Sequence, residues 1–360
     1  MSSDRAESLS DLDVFRARVS TRLTEFVTAQ ARRLDALEPH LDGLLTAADA
    51  ALRGGKRLRA SFCYWGWRAA GGPDDDRIVT AAAAAEMLHA SALTHDDVLD
   101  HSDTRRGRPA AHRQFELLHH SGKWQGTPSG FGSGAAILLG DLLLGWSDEM
   151  LRTSGLEAER VSRAMPYFDA MRTEVVAGQY LDLVAQSSGP ASVPEAMRVV
   201  QYKAAKYTVE RPLHLGAALA GAAGALITAL TSYGLPLGEA FQLRDDVLGV
   251  YGDPDVTGKP AGDDLREGKS TVLMALARER ADDDQLRLLD RVFGRKKLDA
   301  NGVRQLRETI EATGALTAVE QLISELTSAA TTALAQAPIA EDEVRSALHD
   351  LATAATHRRR

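Results

Sequence analysis

The sequence predicts an all-α protein, a single large helical bundle. Three observations carry this. Hydrophobic residues make up 44% of the 360 residues but aromatics only 5%, so any core must be built from Ala, Leu and Val, which favour helix. Apolar residues recur at helical spacing through most of the chain, with no alternating strand pattern of useful length and no short-period repeat. No linker is long enough to demand a split, so residues 1–360 read as one domain, with a core from about 11 to 357 and frayed ends.

Residues from about 11 to 53 show helical periodicity with charged faces, broken by "RGGKRLRAS" (Arg53–Ser61). "AGGPDDDR" (Ala70–Arg77) is a turn followed by an acidic helix start. A long Ala/Leu helix runs from Ile78 to about Leu99, and "HSGKWQGTPSGFGSG" (His120–Gly134) reads as a loop. "AAILLGDLLLGWSDEML" resumes as an apolar core helix, and a further helix spans about Glu157 to Ala185. A pair follows through Ala223, then a helix from about Leu226 to Gly249. The stretch from Thr271 to His357 reads as four or five amphipathic helices.

The formal net charge of −8 disfavours nucleic-acid binding. With one cysteine, Cys63, no disulfide framework is possible within the chain, which suits a reducing cytoplasm. The polar, acidic start "MSSDRAESLSDLD" is unlike a signal peptide, and the most apolar stretches carry Gly, Asp or Ser. The expectation is a cytoplasmic protein with no stable membrane anchor.

The chemistry is concentrated in "LTHDDVLDHSDTRRGRPAAH" (Leu93–His112). On a helix Asp96 and Asp100 share a face, with Asp97 beside them and Leu93, Val98 and Leu99 around them. Carboxylates crowded against an apolar wall raise one another's pKa unless a cation neutralises them. Mg²⁺ does this with one or two carboxylates plus substrate phosphates. A second cluster, Asp245 and Asp246, lies about 150 residues on in "FQLRDDVLGVYGDP". Facing each other across a bundle, two such clusters would hold several Mg²⁺ ions and one polyphosphate.

Basic residues accompany both clusters: Arg105 and Arg106 after the first, Lys259 and Lys269 after the second. "GGKRLR" adds Lys56, Arg57 and Arg59, and "YKAAKYT" adds Lys203 and Lys206. Lys and Arg bind phosphate directly, while carboxylates bind it through metal. His89 lies seven residues before Asp96, about 20° away on the same helical face, and is placed to contact an anionic substrate.

These elements resemble the trans-isoprenyl diphosphate synthases, the polyprenyl synthetase family, and in particular its bacterial geranylgeranyl diphosphate synthases. They run from "GGKRLR" through "HASALTHDDVLDHSDTRRGRP" and "YKAAKYT" to "FQLRDDVLGVYGDPDVTGKPAGDDLREGKST", over about 220 residues. The resemblance implies an all-α bundle around a deep apolar cavity, usually a homodimer. It implies a Mg²⁺-dependent prenyltransferase, with three ions per site, that joins isopentenyl diphosphate head-to-tail to dimethylallyl, geranyl or farnesyl diphosphate. By resemblance, Asp96 and Asp100 hold Mg²⁺ with Asp97 assisting, and Asp245 holds another ion with Asp246 behind it. Arg105, Lys203 and Lys259 match the allylic-diphosphate ligands, with Gln242 and Lys269 as further members. Lys56, Arg59, His89 and Arg106 match the isopentenyl-diphosphate site.

Two positions depart from the family pattern. Gly249 stands where many members carry a third acid, and Lys203 is followed by Ala204 where the family often has Thr. In short-product members bulky aromatics sit four or five positions before the first Asp, but here those positions are Ala92 and Ser91. The floor for the growing chain is expected deeper, past Leu88 towards Ala85 and Ala81. The drop from Ala92 to Ala85 is about 10 Å, room for roughly two isoprene units. The expected product is geranylgeranyl diphosphate (C20), with a longer chain (C25 or more) or farnesyl diphosphate as alternatives. A terpene cyclase shares the acidic clusters but needs no second diphosphate site. A non-catalytic prenyl-diphosphate-binding subunit fits the missing acid at Gly249 but not the intact Asp96, Asp97 and Asp100.

Overall fold

In a computed structural model, residues 2–35, 41–253, 262–295 and 297–356 are described, and they are almost entirely helical. The chain runs through α1 (Ser2–Asp35), α2 (Asp42–Leu52), α3 (Leu58–Ala69) and α4 (Asp76–Leu99). Next come two short strands, β1 (Thr104–Arg105) and β2 (Arg108–Pro109), then α5 (Ala111–Ser121), α6 (Pro128–Arg152) and α7 (Ala158–Ser187). After α8 (Val193–Val199) the backbone winds as a π-helix over Val200–Glu210 before α9 (Arg211–Ala220). α10 (Gly224–Tyr251) is followed by α11 (Asp263–Glu267), α12 (Val272–Arg280), α13 (Asp283–Val292), α14 (Ala300–Ala312), α15 (Ala315–Gln336) and α16 (Asp342–Thr356). The chain divides into two compact units: residues 1–166 with 215–222, and residues 167–214 with 223–360.

In the first unit α4 packs on α1, α3 and α6. Its start is capped by Asp75, whose carboxylate accepts the Arg77 N–H at 2.7 Å. Ala81 to Ala85 have no exposed surface, so neighbouring helices approach α4 closely. The approach to α6 is tightest at Gly140, where an added Cβ would stand 2.2 Å from His95 Nε2. The Ser91 hydroxyl donates to the Gly140 carbonyl at 2.8 Å, fixing the register of the two helices.

In the second unit the inner faces of α10, α12, α14 and α15 share one apolar cluster, including Leu243, Val247, Leu273, Leu306, Ile310 and Val319. Burying each such side chain contributes about 1.5–3 kcal/mol. Caps set the helix starts: Asp282 accepts the N–H groups of Asp284 and Gln285, and Gln285 Oε1 accepts the Asp282 N–H, a capping box. Opposite the acidic face of α10, Arg244 is gripped by both Glu320 carboxylate oxygens at 2.8 and 2.7 Å.

The helix pattern expected over 78–99, 157–185 and 226–249 is observed with ends shifted by a few residues, and among the described residues five helices follow Thr271 where four or five are expected. Three expectations change. The loop expected over 120–134 is shorter, because α5 continues to Ser121 and Pro128 opens α6, proline being suited to a first helical turn. α6 is not a core helix throughout: Ile137 and Leu138 are 46% and 65% exposed. α6 is also the helix, among the described residues, long and apolar enough to cross a membrane by length and composition, although its inner face packs on α4 and α5. Finally, "TRRGRP" forms a tight hairpin. Arg106 and Gly107 occupy its two-residue turn at φ +53° and +71°, the positive pair such turns require.

Candidate active site

The first acidic motif occupies the C-terminal end of α4. Asp97 is buried, while Asp96 and Asp100 are half-buried. The hairpin returns Arg105 over this end. Its Nε donates to Asp97 Oδ1 at 2.8 Å, Nη2 donates to the same oxygen, and Nη2 lies 3.3 Å from Asp96 Oδ2. Burial pushes the Asp97 carboxyl above its usual range, against the pull of Arg105. The clustered acids and the basic residue after them are thus one unit, with Arg105 neutralising Asp97.

Two turns back along α4, half-buried His89 meets the basic residues. Burial, then the guanidinium groups of Arg59, Arg106, Arg105 and Arg57, pushes its imidazole well below its ordinary pKa. His89 is therefore neutral at physiological pH and can present one donor. Arg106 Nη1 donates to the Arg53 carbonyl at 2.8 Å, and a Cβ on Gly55 would meet Arg106 Nη2 at 2.9 Å, so this glycine makes room for the arginine. Lys56 is exposed on the same loop, and Arg59 opens α3 half-buried. Arg59 and Arg106 thus gather around His89, with Lys56 on the adjoining loop; these are the residues the resemblance assigns to the isopentenyl-diphosphate site.

In the second unit, Asp245 and Asp246 lie on α10. Asp246 is buried and accepts from Gln242 Nε2 at 2.8 Å. Burial, with Asp264 and Asp245 nearby, raises its carboxyl to about 7. Gly249 lies one turn on. A Cβ there would stand 1.8 Å from Asp264 Oδ2, so the buried Asp264 carboxylate fills the space in front of Gly249. Lys269 Nζ lies 3.7 Å from Asp264 Oδ1 and 3.0 Å from Glu267 Oε2. Lys203 sits in the π-helix and donates to Asp182 of α7 at 2.6 Å. A Cβ on Gly178 would collide with the Lys203 backbone nitrogen at 2.3 Å, so α7 and the π-helix touch backbone to backbone there. π-Helical turns often mark functional sites. Lys206 pairs instead with Glu174 and Glu210, at 3.3 and 3.5 Å. Lys259 lies outside the described residues.

Of the residues expected to set product length, Ala85, Leu88 and Ser91 are buried and Ala92 is half-buried. Ser91 points to α6 through its hydroxyl. Sequence reasoning missed Glu86, Asp182 and Asp264. The signal for the first two was there: a lone carboxylate inside "AAAAAEMLHA" or "GQYLDLV" has to be paired once buried. Asp264 stood in "GDDLREGK", a string in which only the lysine was read.

The donors present fit a hard divalent cation. All are carboxylate oxygens, and burial, with Asp264 and Asp245 nearby, raises the Asp246 carboxyl, so a cation bound there would favour its charged form. Among the described residues no three or more His, Cys, Asp or Glu form a ready-made cage. That agrees with Mg²⁺, which takes one or two carboxylates and completes its shell with water and phosphate oxygens.

The family model for polyprenyl synthetase matches residues 42–310. The chain belongs to the polyprenyl synthetase family and is a prenyltransferase that makes trans-prenyl diphosphates. A crystal structure of geranylgeranyl pyrophosphate synthase from Corynebacterium glutamicum, complexed with isoprenyl diphosphate and magnesium, is 43% identical. It superposes with a TM-score of 0.93 over 97% of this chain and 99% of that one. The geranylgeranyl diphosphate synthase of Saccharolobus solfataricus is 30% identical over 344 residues, 95% of each chain. The geranylfarnesyl diphosphate synthase of Aeropyrum pernix is 33% identical over 232 residues, 63% of this chain and 68% of that one.

Proposed function

We propose that the protein condenses isopentenyl diphosphate with an allylic diphosphate, head-to-tail and with Mg²⁺, to give geranylgeranyl diphosphate. The observation that supports the two-substrate reading is that Arg59 and Arg106 gather around His89, two turns back along α4 from Asp96 and beyond the Arg105 that pairs with Asp97. A cyclase needs one diphosphate site; a synthase needs two.

In this reading Asp96 and Asp100 would hold Mg²⁺ with Asp97 behind them, and Asp245 would hold a further ion with Asp246 behind it, three ions in all. Bound Mg²⁺ supplies Lewis-acid withdrawal of charge from the leaving diphosphate. Arg105, Lys203, Lys259 and Lys269 hold that diphosphate directly, with Gln242 fixing Asp246. The allylic C–O bond breaks and its electron pair leaves on the diphosphate. The double bond of isopentenyl diphosphate attacks the allylic cation, and the proton lost from its C2 passes to the released diphosphate. No protein nucleophile is needed; the residues act by position and electrostatics.

The C20 product rests on the small residues Ala92 and Ser91 before the first Asp and on the Corynebacterium relative. We further propose a cytoplasmic homodimer of single-domain subunits. The exposed Phe131, Ile137 and Leu138 of α6, a run of apolar surface, support a self-association face. Sedimentation velocity tests it: a species of twice the subunit mass is expected.

The test of function is a product assay by mass spectrometry with isopentenyl diphosphate, Mg²⁺ and dimethylallyl, geranyl or farnesyl diphosphate in turn. A C20 diphosphate is expected. C25 or longer retains the activity and moves the floor below Ala85. A cyclic hydrocarbon, or no turnover with any primer, overturns the reading.

A further inference from the structure

The basic loop contains one arginine that the substrate reading leaves unused. Arg57 is only 5% exposed, and its backbone stands at φ +53°, a conformation non-glycine residues seldom adopt. Its guanidinium turns inward. Nη2 donates to the Leu52 carbonyl at 2.5 Å, Nε donates to Ser20 Oγ at 3.4 Å, and Nη1 lies 3.8 Å from Glu86 Oε2. Glu86, 3% exposed, faces the start of α3. Its Oε1 accepts the N–H of Arg59 at 3.0 Å and of Ala60 at 3.2 Å. The neighbouring Lys56 carbonyl is held by Arg16 Nε of α1 at 3.1 Å.

One buried ion pair therefore joins α1, the end of α2 and the middle of α4 to the loop that carries Lys56 and to the first turn of α3, which carries Arg59. A neutral side chain could accept the two helix-start N–H groups as well as Glu86 does. Burying a charge pair for capping alone is costly. What a neutral cap lacks is a negative charge close to Arg57 and Arg106, both of which feel Glu86. Cations gathered to grip a diphosphate repel one another and splay apart until the anion arrives; a fixed carboxylate beneath them holds them in place, so the grip is already formed when the anion binds.

We propose that Arg57 and Glu86 are a positioning pair for the diphosphate of isopentenyl diphosphate. Without touching the substrate, they set the backbone of Lys56–Arg59 and place a counter-charge under the cations that hold it. This rests on the reading of Lys56, Arg59, His89 and Arg106 as that diphosphate's site.

The test is Glu86→Gln, which keeps an oxygen for the Arg59 and Ala60 N–H groups but removes the charge, alongside Arg57→Met. Steady-state kinetics are measured against each substrate separately. The expected result is a KM for isopentenyl diphosphate raised about tenfold, with the KM for the allylic substrate unchanged. Because a paired interaction is lost once, the double variant should be no worse than the poorer single one. Ser20→Ala, a milder loosening of Arg57, should raise the same KM about threefold and decides the matter if the buried variants do not fold. An unchanged KM for isopentenyl diphosphate in folded variants overturns the proposal, as does an equal rise for both substrates, the mark of a merely structural role. Calorimetric titration with inorganic pyrophosphate separates this from the assignment of function. If the wild type turns over no isopentenyl diphosphate, that assignment fails. The pair is then judged on pyrophosphate affinity alone, which Glu86→Gln should weaken about tenfold and must not leave unchanged.

Discussion

Gly249 offers the sharpest perturbation of the second acidic cluster. Restoring the family's third acid by Gly249→Asp looks like a repair in sequence, and the geometry says it is damage. A Cβ at 249 would stand 1.8 Å from Asp264 Oδ2 and 2.5 Å from Asp264 Cγ. Real Cβ contacts need about 3.0 Å, so the carboxylate must retreat by about 1.2 Å, the difference between 3.0 and 1.8. The overlap with Cγ means that rotating the carboxylate about its own axis does not relieve it; the whole side chain must move. Asp264 is buried, and its carbonyl accepts the N–H groups of Gly268 and Lys269 at 3.1 Å each, so its backbone is fixed.

Gly249→Ala isolates the steric part. Replacing glycine inside a helix contributes about 0.5–1 kcal/mol in favour of the variant. Overpacking a filled space costs about 1–3 kcal/mol. The strain wins, for a net loss of up to about 2.5 kcal/mol. Gly249→Asp adds a charge beside Asp246 and Asp264 and should lose more. Urea unfolding of the Mg²⁺-free proteins measures the first effect, and initial rates over a Mg²⁺ titration measure the second. Displacing Asp264 should lower the rate of both variants. If Gly249→Ala is more stable than the wild type by its helix-propensity gain and keeps full activity, Asp264 does not occupy that space and the reasoning is wrong.

Other expectations follow from the same geometry. Asp96→Ala should reduce prenyl transfer by at least about a hundredfold with little change in unfolding temperature, since the side chain is half-buried and serves the substrate. Ala92→Phe should shorten the product by one or two isoprene units in the mass spectrum; an unchanged product would remove Ala92 from the chain path. Gly140→Ala should destabilise the first unit by about 1–3 kcal/mol, because its Cβ would meet the His95 ring at 2.2 Å. Asp246 is raised to about 7 when folded, from an ordinary value near 4. Protonation of a group so shifted favours the folded state, so its contribution is present at low pH and is lost as pH rises through about 7. In Mg²⁺-free buffer the wild type should therefore lose stability relative to Asp246→Asn between about pH 4 and 7. The loss should be smaller with Mg²⁺ and pyrophosphate present.

The helices were legible because each is a local decision. Ala-rich periodicity over 78–99, Asp75 before it, and the Gly and Pro breaks at 71–73 act within a few residues of themselves. The charged ligand types were legible for a related reason: Asp96, Asp97 and Asp100 share a helix end, and a hairpin of six residues returns Arg105 to them. The supporting partners were not legible, because they come from distant positions and their types are ordinary. Glu86 reaches α3 from 26 and 27 residues away, Asp182 reaches Lys203 from 21, and Ser20 reaches Arg57 from 37. The exposure of Ile137 and Leu138 escaped pattern reading as well, since an apolar stripe looks the same whether its cover is the chain itself or another surface. Local chemistry was written in the order of residues. Which buried charge answers which, and which space a glycine leaves for a carboxylate, is decided by packing, because an ion pair or a steric fit depends on distance in space and not along the chain.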